Sequence, residues 1–164
     1  MLKNVKSSLD KIAKSLEASH QAREYLIKNT RDIVILCSQS IIAVHKGDLK
    51  SARKNVLNAK KLLSKYKKSA NGDLVRYLVT PEQEIVEAAS LISIVEGKPI
   101  PSAESIGVSD ESYILGLLDC IGELKRLIYD KIRIGKTSES VRFFEIMENL
   151  YLILYPFATY DKIV

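Results

Sequence analysis

A chain of 164 residues, 46% hydrophobic and 27% charged, has enough apolar content to bury a core as one domain, which excludes intrinsic disorder. No apolar run reaches the ~18 residues of a membrane helix, and the lysine-studded N-terminus lacks a signal-peptide core. The net charge of +5 hides an asymmetry: residues 1–80 carry 17 Lys+Arg against 6 Asp+Glu, and residues 81–164 carry 8 against 14. One half is suited to attracting a polyanion and the other to holding cations.

Leu2, Val5, Leu9, Ile12 and Leu16 repeat at the 3,4 spacing of a helix seam, with Lys3, Lys6, Lys11 and Lys14 on the other faces. No Gly or Pro occurs before Gly47, so one very long helix, or two nearly collinear ones, is expected over residues 2–45. Ile33, Leu36, Cys37, Ser40, Ile41 and Val44 form a second stripe, widened by Ile35 and Ile42. Apolar on so much of its circumference, this part is expected to lie buried between neighbours.

Asp48 is a good N-cap for a helix carrying Leu49, Ala52, Val56, Ala59, Leu63 and Tyr66 on one face. Its other faces hold Lys50, Arg53, Lys54, Lys60, Lys61, Lys65, Lys67 and Lys68, with Asp48 the one acid of the segment. Such density of positive charge suits phosphates lying alongside, or a solvated lysine-rich face. After the turn signal Asn71-Gly72 comes a short helical approach over 73–79. Thr80-Pro81 then read as N-cap and N1 of a helix that ends at Gly97. Residues 98–109 are a loop with two prolines. Ser109 caps the next helix, almost wholly apolar from Tyr113 to Leu118, whose interior Gly116 and Gly122 signal close backbone packing. The last helix starts at Thr137 or Ser138. Val141, Phe144, Met147, Tyr151 and Leu154 share one face, with Phe143, Ile146, Leu150 and Ile153 beside it, and Pro156 stops it. The aromatics are expected mostly in the core. With no strand-like alternation, the fold class is an all-α, single-domain antiparallel bundle of about six helices. Its surplus apolar seams suggest an oligomer.

Two of these helices carry acids on one face: Glu84 and Glu87 at i,i+3, and Asp119 and Glu123 at i,i+4. Each pair sits among apolar residues, where charge is costly unless compensated. Solvated surface acids are one reading. If the two helices lie side by side, however, four carboxylates converge into an oxygen-rich nest for a hard divalent cation. No His is near either motif in sequence, which argues against metal-free histidine catalysis, and His45 reads as a structural hydrogen-bonding residue. Cys37 and Cys120 lie in apolar helical patterns with neither CxxC nor partner His spacing. They read as buried thiols in a reducing cytoplasm.

Several stretches, in order, resemble the translin/Trax family: LEASHQAREYLIKNTRDI (16–33) with AVHK (43–46), QEIVEA (83–88), and DESYILGLLDCIGELKRL (110–127) with its D-x-x-G-E-L-x-R element. The resemblance covers nearly the whole chain and implies a translin-like fold. In the Trax branch it further implies a metal-dependent ribonuclease site. Carried over position by position, the catalytic and metal-ligating residues are Glu84, Glu87, Asp119 and Glu123, with Mg²⁺ (or Mn²⁺) as cofactor. The family's closed hollow oligomers, with RNA inside, imply a homo-oligomeric endoribonuclease for single-stranded RNA, with single-stranded DNA a second candidate. The alternative is a non-catalytic translin-like binder. Arg126, seven residues beyond Asp119, is expected to hold a substrate phosphate or else to pair with Glu123 or Asp130. Arg23, Arg31, Arg53 and Lys54 are expected on the RNA backbone. Two departures stand out: Ser112 precedes the opening Tyr where the family has Asp, and the family's further C-terminal helix after PFATYDKIV is expected to be missing, which bears on the oligomer.

Overall fold

A computed structural model describes residues 2–160 of the chain. Six helices follow in order: α1 (Lys3–His45), α2 (Leu49–Lys67), α3 (Val79–Glu96), the short α4 (Ala103–Ile106), α5 (Asp110–Arg133) and α6 (Thr137–Leu154). The 3-10 helix Gly72–Leu78 leads into α3, and the 3-10 helix Tyr155–Thr159 follows α6. The described residues contain no strand, and no helix among them is long and apolar enough to cross a membrane. The last four residues of PFATYDKIV lie outside the described residues.

The chain punctuation explains the boundaries. Gly47 (φ 78°) and Gly97 (φ 68°) end α1 and α3 in the left-handed conformation that glycine adopts without a Cβ penalty. Asp48 and Ser109 accept hydrogen bonds from the N–H groups of Ser51 and Ser112, capping α2 and α5. Thr80 does not cap α3. The 3-10 turns run straight into that helix, which starts at Val79 with no side-chain cap, and the Val79 N–H bonds the Arg76 carbonyl. The two-proline loop contains α4, capped by Ser102. Four residues are too few for periodicity to reveal.

In the core α1 packs against α2 and α3, α3 against α5, and α5 against α6. Helix α2 runs antiparallel to α1, with Tyr25 beside Tyr66 and Ser40 beside Ala52. By contrast, α5 runs parallel to α3, with Glu82 at Ser109, Gln83 at Gly116 and Val95 lining a hollow with Leu127. Leu26, Ile33, Cys37, Ile41 and Val44 of α1 meet Ala52, Val56, Ala59 and Leu63 of α2 and Ile85, Val86 and Ile92 of α3 in one cluster of buried residues. The Ser40 hydroxyl, itself buried, donates to the Ala52 carbonyl at 2.9 Å and stitches α1 to α2. Burial in α1 begins only at Leu26. The N-terminal seam of Leu2, Val5, Leu9, Ile12 and Leu16 is between 52% and 72% exposed, so within one chain it has nothing to pack on.

Four expectations change. Ile35 and Ile42 are exposed rather than buried. On α6 the packed face is Phe143, Leu150 and Leu154, leaving Val141, Phe144 and Tyr151 at the surface; the helix is apolar nearly all round, and its pattern alone cannot choose a face. Five of the eight tyrosines (Tyr25, Tyr129, Tyr151, Tyr155 and Tyr160) are exposed. Gly116 is the close contact expected of it, but a Cβ on Gly122 would meet nothing within 4 Å.

Candidate functional site

Gly116 sets the approach of α3 and α5. A Cβ there would lie 2.5 Å from the Gln83 carbonyl oxygen and 2.6 Å from the Val86 Cβ, so only a bare α-carbon lets α5 seat against α3. Asp119 follows one turn later and Glu123 one turn beyond it, facing the Glu84–Glu87 face of α3. Glu84, Glu87 and Glu123 line one cavity of about 300 Å³, together with Arg126 of α5 and Ser38, Ile41 and Ile42 of α1. Asp119 is exposed outside that lining. Its carboxylate accepts a hydrogen bond from the Gln83 amide and its charge still reaches Glu84 and Glu87.

The electrostatics record the crowding. Burial, then the charges of Glu84, Asp119 and Glu123, push the Glu87 carboxyl up to about 8. Burial and Asp119 also raise Glu84. Beneath them, burial raises the Cys37 and Cys120 thiols, with the acid charges adding to the effect. Both cysteines are free and fully buried, so neither offers a thiolate nucleophile.

His45 is a hydrogen-bonding residue as expected, and in space it reaches the acids that are distant from it in sequence. His45, the last residue of α1, points its Nε2 at Glu123 Oε2 (2.7 Å) and its Nδ1 at Asp130 Oδ2 (3.1 Å). A contact across 78 residues leaves no trace in local spacing, so sequence reasoning missed it as part of the site. Arg126 Nη1 lies 3.5 Å from Glu123 Oε2, while Asp130 pairs with Arg133 (3.3 Å). Among the described residues, no three His, Cys, Asp or Glu side chains are gathered as a ready-made metal-ligand group. Gln83 engages the Asp119 carboxylate, while His45 and Arg126 both reach the same oxygen of Glu123.

The basic residues divide. Arg53 is engaged with Glu96 of α3, and Lys67 with Glu82 (2.7 Å) and the Gly107 carbonyl, so part of the α2 charge is structural. Glu82 is buried, which opposes its charge, yet hydrogen bonds from Lys67 and from Ser109 hold its carboxyl below the usual range. Arg23 donates to the Tyr77 hydroxyl at 2.9 Å and lies beside Glu24. Arg31 and Lys54 are exposed, with no carboxylate partner among the described residues.

The donor chemistry fits a hard divalent ion: all four acids supply oxygen, and burial with the charges of Glu84, Asp119 and Glu123 around Glu87 gathers the negative charge such an ion would offset.

A scan against protein-family models finds no match. The chain is 38% identical over 146 residues to an uncharacterized protein of Methanocaldococcus jannaschii; the match covers 86% of this chain and 65% of that protein. Solved structures resemble it along most of its length. The complex of AfC3PO with duplex RNA gives a TM-score of 0.85 at 28% identity, covering 94% of this chain and 81% of that one. AfC3PO in a second structure gives 0.84 at 30% identity, covering 96% and 84%. Apo-NeC3PO gives 0.66 at 21% identity, covering 96% of both chains, a likeness of fold. On the shared helical architecture and this identity over most of AfC3PO, the chain belongs to the translin/Trax family.

Proposed function

We propose that the chain is a metal-dependent endoribonuclease, cleaving single-stranded RNA by water attack on the phosphodiester inside a homo-oligomeric shell in the cytoplasm. The observation that carries this reading is the convergence of Glu84 and Glu87 of α3 with Glu123 of α5 on one cavity that also holds an arginine. The duplex RNA in the AfC3PO complex supports RNA as the ligand, with the single-stranded form proposed from the family resemblance.

Glu84, Glu123 and Asp119 would hold Mg²⁺ or Mn²⁺, with Glu87 as a fourth ligand or the proton acceptor. When bound, the ion lowers the pKa of a water and offsets charge building on the phosphate. The chain's own residues do the rest. A carboxyl poised near 8 exchanges protons with water at neutral pH, and Glu87 is such a group. Arg126, exposed beside Glu123, offers a planar guanidinium to a substrate phosphate. Ile41 and Ile42 give the cavity an apolar wall, which strengthens the electrostatics within it. Arg23, Arg31 and Lys54 supply backbone contacts that position RNA without reading sequence. The exposed N-terminal seam of α1 is the surface for subunit association.

A second reading, a non-catalytic RNA binder, draws on the absence of a gathered ligand group among the described residues. End-labelled RNA incubated with the protein in Mg²⁺ or in EDTA separates the two. Cleavage that needs Mg²⁺, with binding that survives EDTA, supports the nuclease. Binding in both buffers with intact RNA throughout supports the binder.

A further inference from the structure

Within the cavity, Glu84, Glu87 and Glu123 repel one another, and the hold that α5 itself offers Glu123 is the long contact to the exposed Arg126, at 3.5 Å. The closer hold comes from α1. The His45 side chain is 7% exposed, wedged between two acids two turns apart on one face of α5, Glu123 (2.7 Å) and Asp130 (3.1 Å). Both ring nitrogens face carboxylate oxygens, so the ring cannot rotate about its χ angles without giving up one of them. The α1 backbone anchors it from below: Val44 is buried in the core, and the Gly47 N–H bonds the Val44 carbonyl at 2.9 Å. Asp130 is reachable from a second hollow of about 270 Å³ shared with His45 and Lys131. It is therefore the outer end of the chain Asp130–His45–Glu123, whose inner end lines the acid cavity.

We propose that His45 and Asp130 are positioning residues, which fix the orientation of the Glu123 carboxylate so that its free oxygen is presented to a divalent cation. This rests on the nuclease reading above. Carboxylates that ligate metals are themselves hydrogen-bonded, and loss of such a partner typically weakens metal affinity or activity about 10–100-fold. Arg126 is a weaker second hold, at 3.5 Å and on the solvent side. A mere clamp between α1 and α5 would influence stability alone.

The test measures Mn²⁺ binding to the RNA-free protein by the electron paramagnetic resonance of free Mn²⁺, together with kcat and KM for RNA cleavage. The proteins are wild type, Glu123→Ala, His45→Ala, His45→Gln and Asp130→Asn. His45→Ala is expected to weaken Mn²⁺ binding at least about 10-fold and to lower kcat, with KM for RNA unchanged. His45→Gln, whose amide still donates to Glu123, recovers part of the loss. Asp130→Asn, at a partly exposed position where misfolding is not expected, shows a smaller loss in the same direction. If Glu123→Ala loses Mn²⁺ affinity while His45→Ala and Asp130→Asn keep wild-type affinity and kcat, the positioning role is overturned and the metal site stands. If the wild type binds no Mn²⁺, the nuclease reading itself fails. Should His45→Ala not fold, Asp130→Asn and His45→Gln decide.

Discussion

The α-carbon of Gly116 faces the Gln83 carbonyl oxygen so closely that an added Cβ would sit 2.5 Å from it. This close approach lets two helices distant in sequence bring their acids together. Gly116→Ala gains about 1 kcal/mol of helix propensity but forces a backbone against a backbone, an overpacking that costs ~1–3 kcal/mol or more. The second effect wins. Denaturant unfolding should show Gly116→Ala destabilised, whereas Gly122→Ala, with open space around its Cβ, should be stabilised by up to about 1 kcal/mol. Equal effects of the two changes would refute the tight seam.

Glu87 gives the metal-free protein a pH signature. Its folded value, about 8, lies above the unfolded 4.5, so between those limits the folded state binds more protons than the unfolded one. Stability conferred through this group is greatest below about pH 4.5 and declines as pH rises through 8. Thermal melts in EDTA should show Glu87→Gln flattening that decline. Added Mn²⁺ should raise the wild-type melting temperature most at the alkaline end, where it no longer competes with a proton. A wild type whose stability rises from pH 5 to 8 as steeply as the variant's would contradict the buried acid cluster.

The basic residues should differ in their effect on RNA affinity. Lys54→Ala should weaken binding for all sequences and shrink the slope of log K against log salt by about 0.7–0.9 for each phosphate the lysine neutralises. Arg53→Ala should leave that slope nearly unchanged, because its guanidinium is engaged with Glu96. Filter binding across a salt series reads both, and a larger slope change for Arg53 would reverse the assignment.

The exposed seam of α1 gives the assembly test. Leu9→Lys with Ile12→Lys places two charges on surface that a partner would cover, at positions more than half exposed in the single chain. Light scattering after gel filtration should find the wild type in a multiple of the 18.4 kDa chain mass and the double variant reduced toward one chain. Identical masses would clear the seam of any role in association.

Much of this architecture was legible in the residues. The seams at 3,4 spacing, the caps Asp48 and Ser109 and the glycine stops gave the helices and nearly all their bounds, because each is a local effect. The two acid pairs were visible for the same reason. What could not be read depends on approaches between distant parts of the chain. His45 meets Glu123 only once α1 has folded back beside α5, and Arg53 and Lys67 are claimed by acids of α3. The face of α6 is chosen by its packing on α5, since either of its stripes could have been buried.

Single-turnover cleavage of labelled single-stranded RNA at saturating protein and Mg²⁺, wild type against Glu123→Gln, addresses the central claim most directly. The substitution keeps the shape of the side chain and removes its charge. The account predicts cleavage by the wild type and a rate at least about 100-fold lower in the variant, equivalent to ~2.7 kcal/mol of barrier, with RNA affinity unchanged. Equal rates in the two proteins would contradict it.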